Sequence, residues 1–145
     1  MATTTASLSL TSRDLFDDSL SISTSKTLYK AGLTEGLDQT TGVNKVYLTA
    51  TTNVDLITVP GTTKAGKQNY IYISNESEIH SEYLVVTLGG NVIGRLYAGD
   101  WMWMPWEQEN AHLSDIEIAP SVATGMWVEY MIIHEGIVLT SSADS

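Results

Sequence analysis

Three histidines are the first residues in this 145-residue chain that could do chemistry: His80, His112 and His134. None stands at metal-ligand spacing from another His, and there is no Cys to complete a thiolate site or act as a nucleophile. His80 and Glu82 are two apart and would share one face of a strand, but the pair reads as a solvated one. Acids cluster as Asp14 with Asp17 and Asp18, as Glu76 with Glu78, and as Glu107 with Glu109. Paired carboxylates run glycoside hydrolysis. A chain with 17 acids makes such pairs by chance, so they read as solvated faces. No Gly-x-Ser-x-Gly elbow is present, and no loop has the Asp, Gly and Glu spacing of an EF-hand. Gly89-Gly90-Asn91-Val92-Ile93-Gly94 opens no helix, which removes the dinucleotide reading. Asn75-Glu76-Ser77 is a glycosylation sequon, read as chance. The expectation is therefore a non-enzyme with no cofactor and no metal.

The run from Gly99 and Asp100 to Pro105 resembles one local motif of the cupins, a glycine with a proline six residues on. Asn110 stands where the motif's His is needed, and the companion two-His motif is missing. It reads as a turn-strand-turn without metal chemistry. Within it, Trp101-Met102-Trp103-Met104-Pro105-Trp106 is the most unusual segment. In a strand Trp101 and Trp103 face one side and the methionines the other, so both faces are apolar. Such a strand lies in a core or under a neighbouring subunit. The alternative is a row of aromatic platforms for sugars, but such platforms normally stand among polar residues. Met126 to Ile133, with Trp127, has the same character.

Charge narrows the partners. Seven basic residues face 17 acidic ones, a net charge of −10. That balance excludes a nucleic-acid binder and an anionic membrane surface. Residues 96–145 hold no Lys or Arg but eight acids, all four Trp and four of the five Met. The acids are expected mainly in turns and at strand ends, as a solvated rim around an apolar core. No apolar run is long enough for a membrane helix, and Met1 to Ser7 has neither the basic nor the apolar part of a secretory signal.

Period-2 alternation recurs along the chain and no helical periodicity does. Strands are expected near 7–11, 19–23, 45–49, 54–59, 69–74, 82–88, 91–97, 101–106, 115–119 and 125–133. Gly89-Gly90 suits a two-residue hairpin turn, and Pro60-Gly61 stops the strand at 54–59. Short strands with turn signals every 8–12 residues predict an all-β protein. The expected architecture is an antiparallel β-sandwich, jelly-roll-like, over 31–140. Residues 1–30 before it are read as an extended N-terminal arm or edge strands, the alternative being a disordered tail, and a tail over 141–145 follows. Free termini fray, so an ordered arm needs a holder, and a neighbouring subunit is the expected one.

Several segments together resemble small virion structural proteins of tailed bacteriophages, especially those of marine hosts and cyanobacteria. They are Ala31 to Gly42, Glu82 to Val86, Ile93 to Asp100 with Pro105-Trp106, and Pro120 to Thr124 before Val128-Glu129-Tyr130. The resemblance spans roughly 30–135 and implies a β-rich, non-enzymatic protein that decorates or cements a capsid, or forms a small tail part. On that basis the chain is expected on the virion's capsid surface after synthesis in the host bacterial cytoplasm. Its partners would be copies of itself, as a trimer, and the major capsid protein. Leu8, Leu10, Phe16, Trp101, Trp103, Trp106 and Trp127 are the candidate contact residues. The arm, Ala2 to Ser12, would add to a neighbour as a strand. Two rivals stand beside this. A tail or fibre component binding host glycans would expose Trp106 or Trp101 beside acids or amides. A cupin-type metal enzyme would hold a metal near His80 or His112.

Overall fold

A computed structural model describes residues 3–15, 18–58, 67–107, 115–135 and 139–140. The described chain is all-β and every paired strand is antiparallel. It divides into two compact units, 1–38 and 39–145.

The first unit is built on one ribbon, β1 (Thr5–Ser12) paired with β2 (Leu20–Thr27) over eight rungs. Alternation splits its side chains by type. Thr5, Ser7, Ser9 and Thr11 lie opposite Thr27, Ser25, Ser23 and Ser21, so one face is wholly hydroxylated. The other face carries Leu8, Leu10, Leu20 and Ile22. Past β1, the Ser12 hydroxyl accepts hydrogen bonds from the Asp14 and Leu15 amides at 3.4 and 3.1 Å, a local turn of the kind serine favours. After β2, a bridge between Tyr29 and Gly36 closes a loop whose Gly32 has φ +68°. A Lys30–Glu35 pair at 3.3 Å ties the same loop. Phe16 and Ala2 lie outside the described residues.

The second unit holds two sheets. One has β12 (Leu139–Thr140), β5 (Val54–Thr58), β10 (Ile116–Pro120), β7 (Tyr83–Leu88) and β8 (Asn91–Tyr97) in that order. In the other, β11 (Met126–His134) pairs with β6 (Asn69–Asn75), and β6 with β9 (Trp101–Pro105). The free side of β11 takes β4 (Asn44–Leu48) along one stretch and β3 (Gln39–Thr40) along another. The short β3 and β12 carry too few residues for an alternation signal, and sequence reading passes them by.

Period-2 patterning is what builds these sheets. In β6, Asn69, Ile71 and Ile73 are buried while Tyr70 and Tyr72 are only partly so. β10 and β11 alternate the same way. One apolar cluster collects the inward residues of both sheets, among them Leu56, Ile71, Ile73, Leu84, Val86, Ile118, Val128 and Ile132. All eight are 0–1% exposed. Burying an aliphatic side chain of this size stabilises by about 1.5–3 kcal/mol, so this cluster dominates the unit's stability. The hairpin between β7 and β8 turns on Gly89 and Gly90, with φ +56° and +88°, the left-handed pair a primed turn requires.

Two buried asparagines fasten the ends of β6. At one end the Asn69 carbonyl accepts the Trp106 amide at 2.8 Å, and its side-chain oxygen accepts the Glu135 amide at 3.0 Å. At the other, the Asn75 side chain donates to the Leu96 carbonyl at 2.8 Å and accepts the Ser77 amide at 2.9 Å. The Asn75 backbone also bonds Asp100 and Gly99. Asn75, whose sequon reads as chance, has a structural part: the residue is fully buried and joins the end of β6 to the β8–β9 turn.

Candidate functional site

The outward face of the β4–β11–β6–β9 sheet gathers six of the eleven aromatics among the described residues. Register fixes which side chains share it. Opposed positions are Tyr47 with Trp127, Lys45 with Glu129, Glu129 with Ser74, and Ser74 with Trp101. The next rungs set Met131 beside Tyr72 and Tyr72 beside Trp103, then Ile133 beside Tyr70 and Tyr70 beside Pro105. The face therefore has two zones of different chemistry.

The first zone, across β6 and β9, is apolar. Trp103 lies flat on Tyr70, ring centroids 5.2 Å apart and planes 7° from parallel. Both are half-buried, with Met131, Tyr72 and Pro105 around them. The expectation that Trp101–Trp106 is apolar on both faces holds for β9 itself. Met102 and Met104 pack against the core, while Trp101 and Trp103 stand outward. Trp101 is 56% exposed.

The second zone, at β4 and β11, mixes aromatic with charged groups. Trp127 is 48% exposed and lies against Tyr47, centroids 4.9 Å apart and tilted by 48°. The Tyr47 hydroxyl donates to the Thr124 carbonyl at 3.3 Å. Its ring occupies the space above Gly125, which has φ +114° and no Cβ to obstruct it. Beside Trp127 is an open cleft of about 490 Å3 lined by Lys45, Glu76, Glu78 and Trp127. Backbone and side chains fix its walls. The Glu76 amide donates to the Trp127 carbonyl at 2.9 Å. Glu76 Oε2 accepts the Ser74 hydroxyl at 2.9 Å. Glu129 receives the Tyr72 hydroxyl at 3.4 Å and stands 3.9 Å from Lys45 Nζ.

The outward face of the other sheet is different again. Arg95 lies over the Tyr83 ring at 4.4 Å, and Tyr83 meets Tyr97 at 5.2 Å. Glu117 is directly opposite Asp55. Partial burial, then the Asp55 and Asp115 charges, hold the Glu117 carboxyl above the usual carboxylate range. Glu117 and Glu129 are thus mid-strand acids, an exception to the expectation that acids fall in turns and at strand ends.

The remaining sequence candidates are placed as follows. Leu8 and Leu10 sit on the apolar face of the ribbon, 37% and 47% exposed. Trp106 is a correction: it is 3% exposed and belongs to the core, because the chain leaves β9 at Pro105 and Trp106 bonds back to Asn69. It offers no surface to a partner. His80 is exposed in the turn before β7, whereas Glu82 is buried and accepts the Ser77 hydroxyl at 2.6 Å. The two therefore face different surroundings. His134 ends β11 opposite Asn69. His112, Glu109 and Asn110 lie outside the described residues. Among the described residues no three His, Cys, Asp or Glu side chains come together as a metal site. Sequence reading missed Lys45, Tyr47, Tyr70 and Tyr72 as surface residues. The signal was present in Lys45-Val46-Tyr47 and in Tyr70-Ile71-Tyr72, aliphatics alternating with groups that carry a polar end.

Comparison with family models, curated proteins and solved structures finds no match for this chain.

Proposed function

We propose that the chain is a structural subunit of a tailed-phage virion, a capsid decoration protein without catalytic activity that assembles as a homotrimer. The two sheets are read as a jelly-roll sandwich. Strand order supports this: β4–β11–β6–β9 in one sheet and β5–β10–β7–β8 in the other. Between β4 and β11 the chain changes sheet at every connection except the β7–β8 hairpin. That is the pattern of an eight-stranded double Greek key, an architecture shared by viral capsid domains, lectins and cupins. Because the architecture serves all three, function rests on the surfaces.

The observation that carries the structural reading is the ribbon. Leu8, Leu10 and Ile22 are 37–47% exposed along one face of an eight-rung hairpin. A lone two-stranded hairpin is marginal in water, and an apolar face of this kind gains by contact with another chain. The segment expected as an extended arm adding to a neighbour as a strand is instead paired within the chain, β1 with β2, so in this role the ribbon meets a neighbouring subunit or the major capsid protein through its apolar face. The Trp103–Tyr70 zone supplies a second apolar contact. Many such contacts repeated over a capsid add to firm attachment.

The test is reconstitution. Purified protein added to capsids that lack it rebinds them and raises their resistance to heat or denaturant, and light scattering on the free protein gives the mass of a trimer. Absence of rebinding overturns the capsid role.

A second reading, a tail or fibre component that binds host glycans, is favoured by the Trp127 zone. There an exposed aromatic stands among Lys45, Glu76 and Glu78. Trp101, exposed and opposite the Ser74 that bonds Glu76, fits the same reading.

A further inference from the structure

We infer that the cleft beside Trp127 is a saccharide-binding site, with Trp127 as the stacking platform and Lys45, Glu76 and Glu78 as the groups that read hydroxyls. The ligand is a pyranose-containing oligosaccharide without carboxylate or sulfate. The inference rests on the glycan reading and leaves the capsid reading untouched.

Chemistry separates this cleft from the apolar zone on the same face. A protein partner covering it would have to desolvate Lys45, Glu76 and Glu78, and interface cores are poor in charged residues for that reason. A pyranose instead brings hydroxyls to these groups. Carboxylates accept hydrogen bonds from hydroxyl donors and an ammonium donates to hydroxyl oxygens, each bond strengthened by the charge. The C–H face of the ring covers the indole, which supplies the apolar part of the contact. A cleft of about 490 Å3 lies within the 300–1,000 Å3 typical of small-ligand sites. Two carboxylates against one lysine disfavour an anionic ligand, which rules out phosphates and uronic acids as the preferred class.

The platform is held in place before any ligand arrives. Tyr47 packs on Trp127, is tethered to the Thr124 carbonyl, and lies over Gly125 where a Cβ would collide with it. Glu76 is fixed through its backbone to Trp127 and through its carboxylate to Ser74. Groups already ordered lose little freedom on binding, which favours affinity.

The experiment uses the whole chain against a glycan array, followed by calorimetry with oligomers of N-acetylglucosamine, mannose and galactose, and with oligogalacturonate. At least one neutral oligosaccharide binds in the sub-millimolar range, and oligogalacturonate binds at least about tenfold more weakly. Trp127→Ala weakens binding by about tenfold or more, whereas Trp103→Ala, in the apolar zone, changes it by less than about twofold. If Trp127→Ala fails to fold by circular dichroism, Glu78→Gln, an exposed substitution, decides with a loss of about threefold or more. The inference is overturned if no neutral oligosaccharide binds. It is equally overturned if the uronate binds as well as the neutral oligomers, if the Trp127 and Glu78 variants bind like wild type, or if Trp103→Ala weakens binding as much as Trp127→Ala. Capsid rebinding by the Glu78→Gln variant separates the two roles, because it persists when only the saccharide site is lost.

Discussion

The ribbon of the first unit and the sheets of the second are written in the same code, yet one is covered and the other is not. In both, apolar residues recur every second position. In the sheets those positions end at 0–1% exposure, as at Ile71, Ile73 and Ile118. In the ribbon, Leu8, Leu10 and Ile22 keep 37–47%. Alternation therefore specifies a strand with two unlike faces, and a second layer of structure is what turns the apolar face into a core. The ribbon's other face, all Ser and Thr, has no apolar group to bury at all. The contrast assigns stability to the sheets and leaves the ribbon as the surface on which the proposed contact rests.

The widest separation comes from matched truncations. Ile71→Ala or Ile118→Ala removes a fully buried side chain and should cost about 3–4 kcal/mol in denaturant unfolding. Leu10→Ser on the ribbon should change unfolding by less than about 1 kcal/mol, because the side chain is already half in water. Its effect should fall on mass by light scattering, where the triple change Leu8→Ser, Leu10→Ser and Ile22→Ser gives smaller particles than wild type. Equal destabilisation by Leu10→Ser and Ile71→Ala would break the comparison.

Asn75→Ala probes how the sheets are fastened without touching the apolar cluster. It strands the Leu96 carbonyl, in a buried bond, and the Ser77 amide, in a part-buried one, and should cost about 2 kcal/mol by the same unfolding assay. Gly125→Ala should cost about 1–3 kcal/mol, since φ +114° disfavours any side chain and the new methyl collides with Tyr47. It should also displace Tyr47 from Trp127, seen as a changed near-ultraviolet circular dichroism of the aromatic pair. An unchanged aromatic signal would show that Gly125 does not set that pair.

How much of this was legible in the sequence follows from the same physics. Ten strands and the Gly89-Gly90 turn were readable because alternation and left-handed glycines are local signals. The Trp101/Met102 split across β9 was readable for the same reason. Burial of Trp106 was not: it depends on where β9 stops and on the bond back to Asn69, a contact between residues 37 apart in sequence. The Trp127 cleft was also hidden, since Lys45, Glu76 and Trp127 meet only through the β4–β11 register and the bend after β6. Pairing of Asp55 with Glu117 needed the β5–β10 register in the same way.

That last pair gives the smallest effect and the finest test of the comparison. Glu117 belongs to the stable unit, but it sits on an outward face, and its energetics should resemble those of a surface. Its carboxyl is raised by partial burial first and by the Asp55 and Asp115 charges next. The folded state thus holds the proton more tightly than the unfolded state, so ionised Glu117 opposes folding at neutral pH. Lowering the pH through the raised value protonates the group and relieves that opposition, and the relief is complete below the ordinary carboxylate range. Glu117→Gln should therefore stabilise at pH 7 by roughly 0.5 kcal/mol, a value kept small by screening at a largely solvated site. The advantage should shrink as the pH approaches about 4 and should diminish in high salt at pH 7. Unfolding curves for both proteins at the two pH values measure this. A gain of several kcal/mol would mean that the outward face behaves as core, and a loss at pH 7 would mean that the charge of Glu117 is used by a partner group.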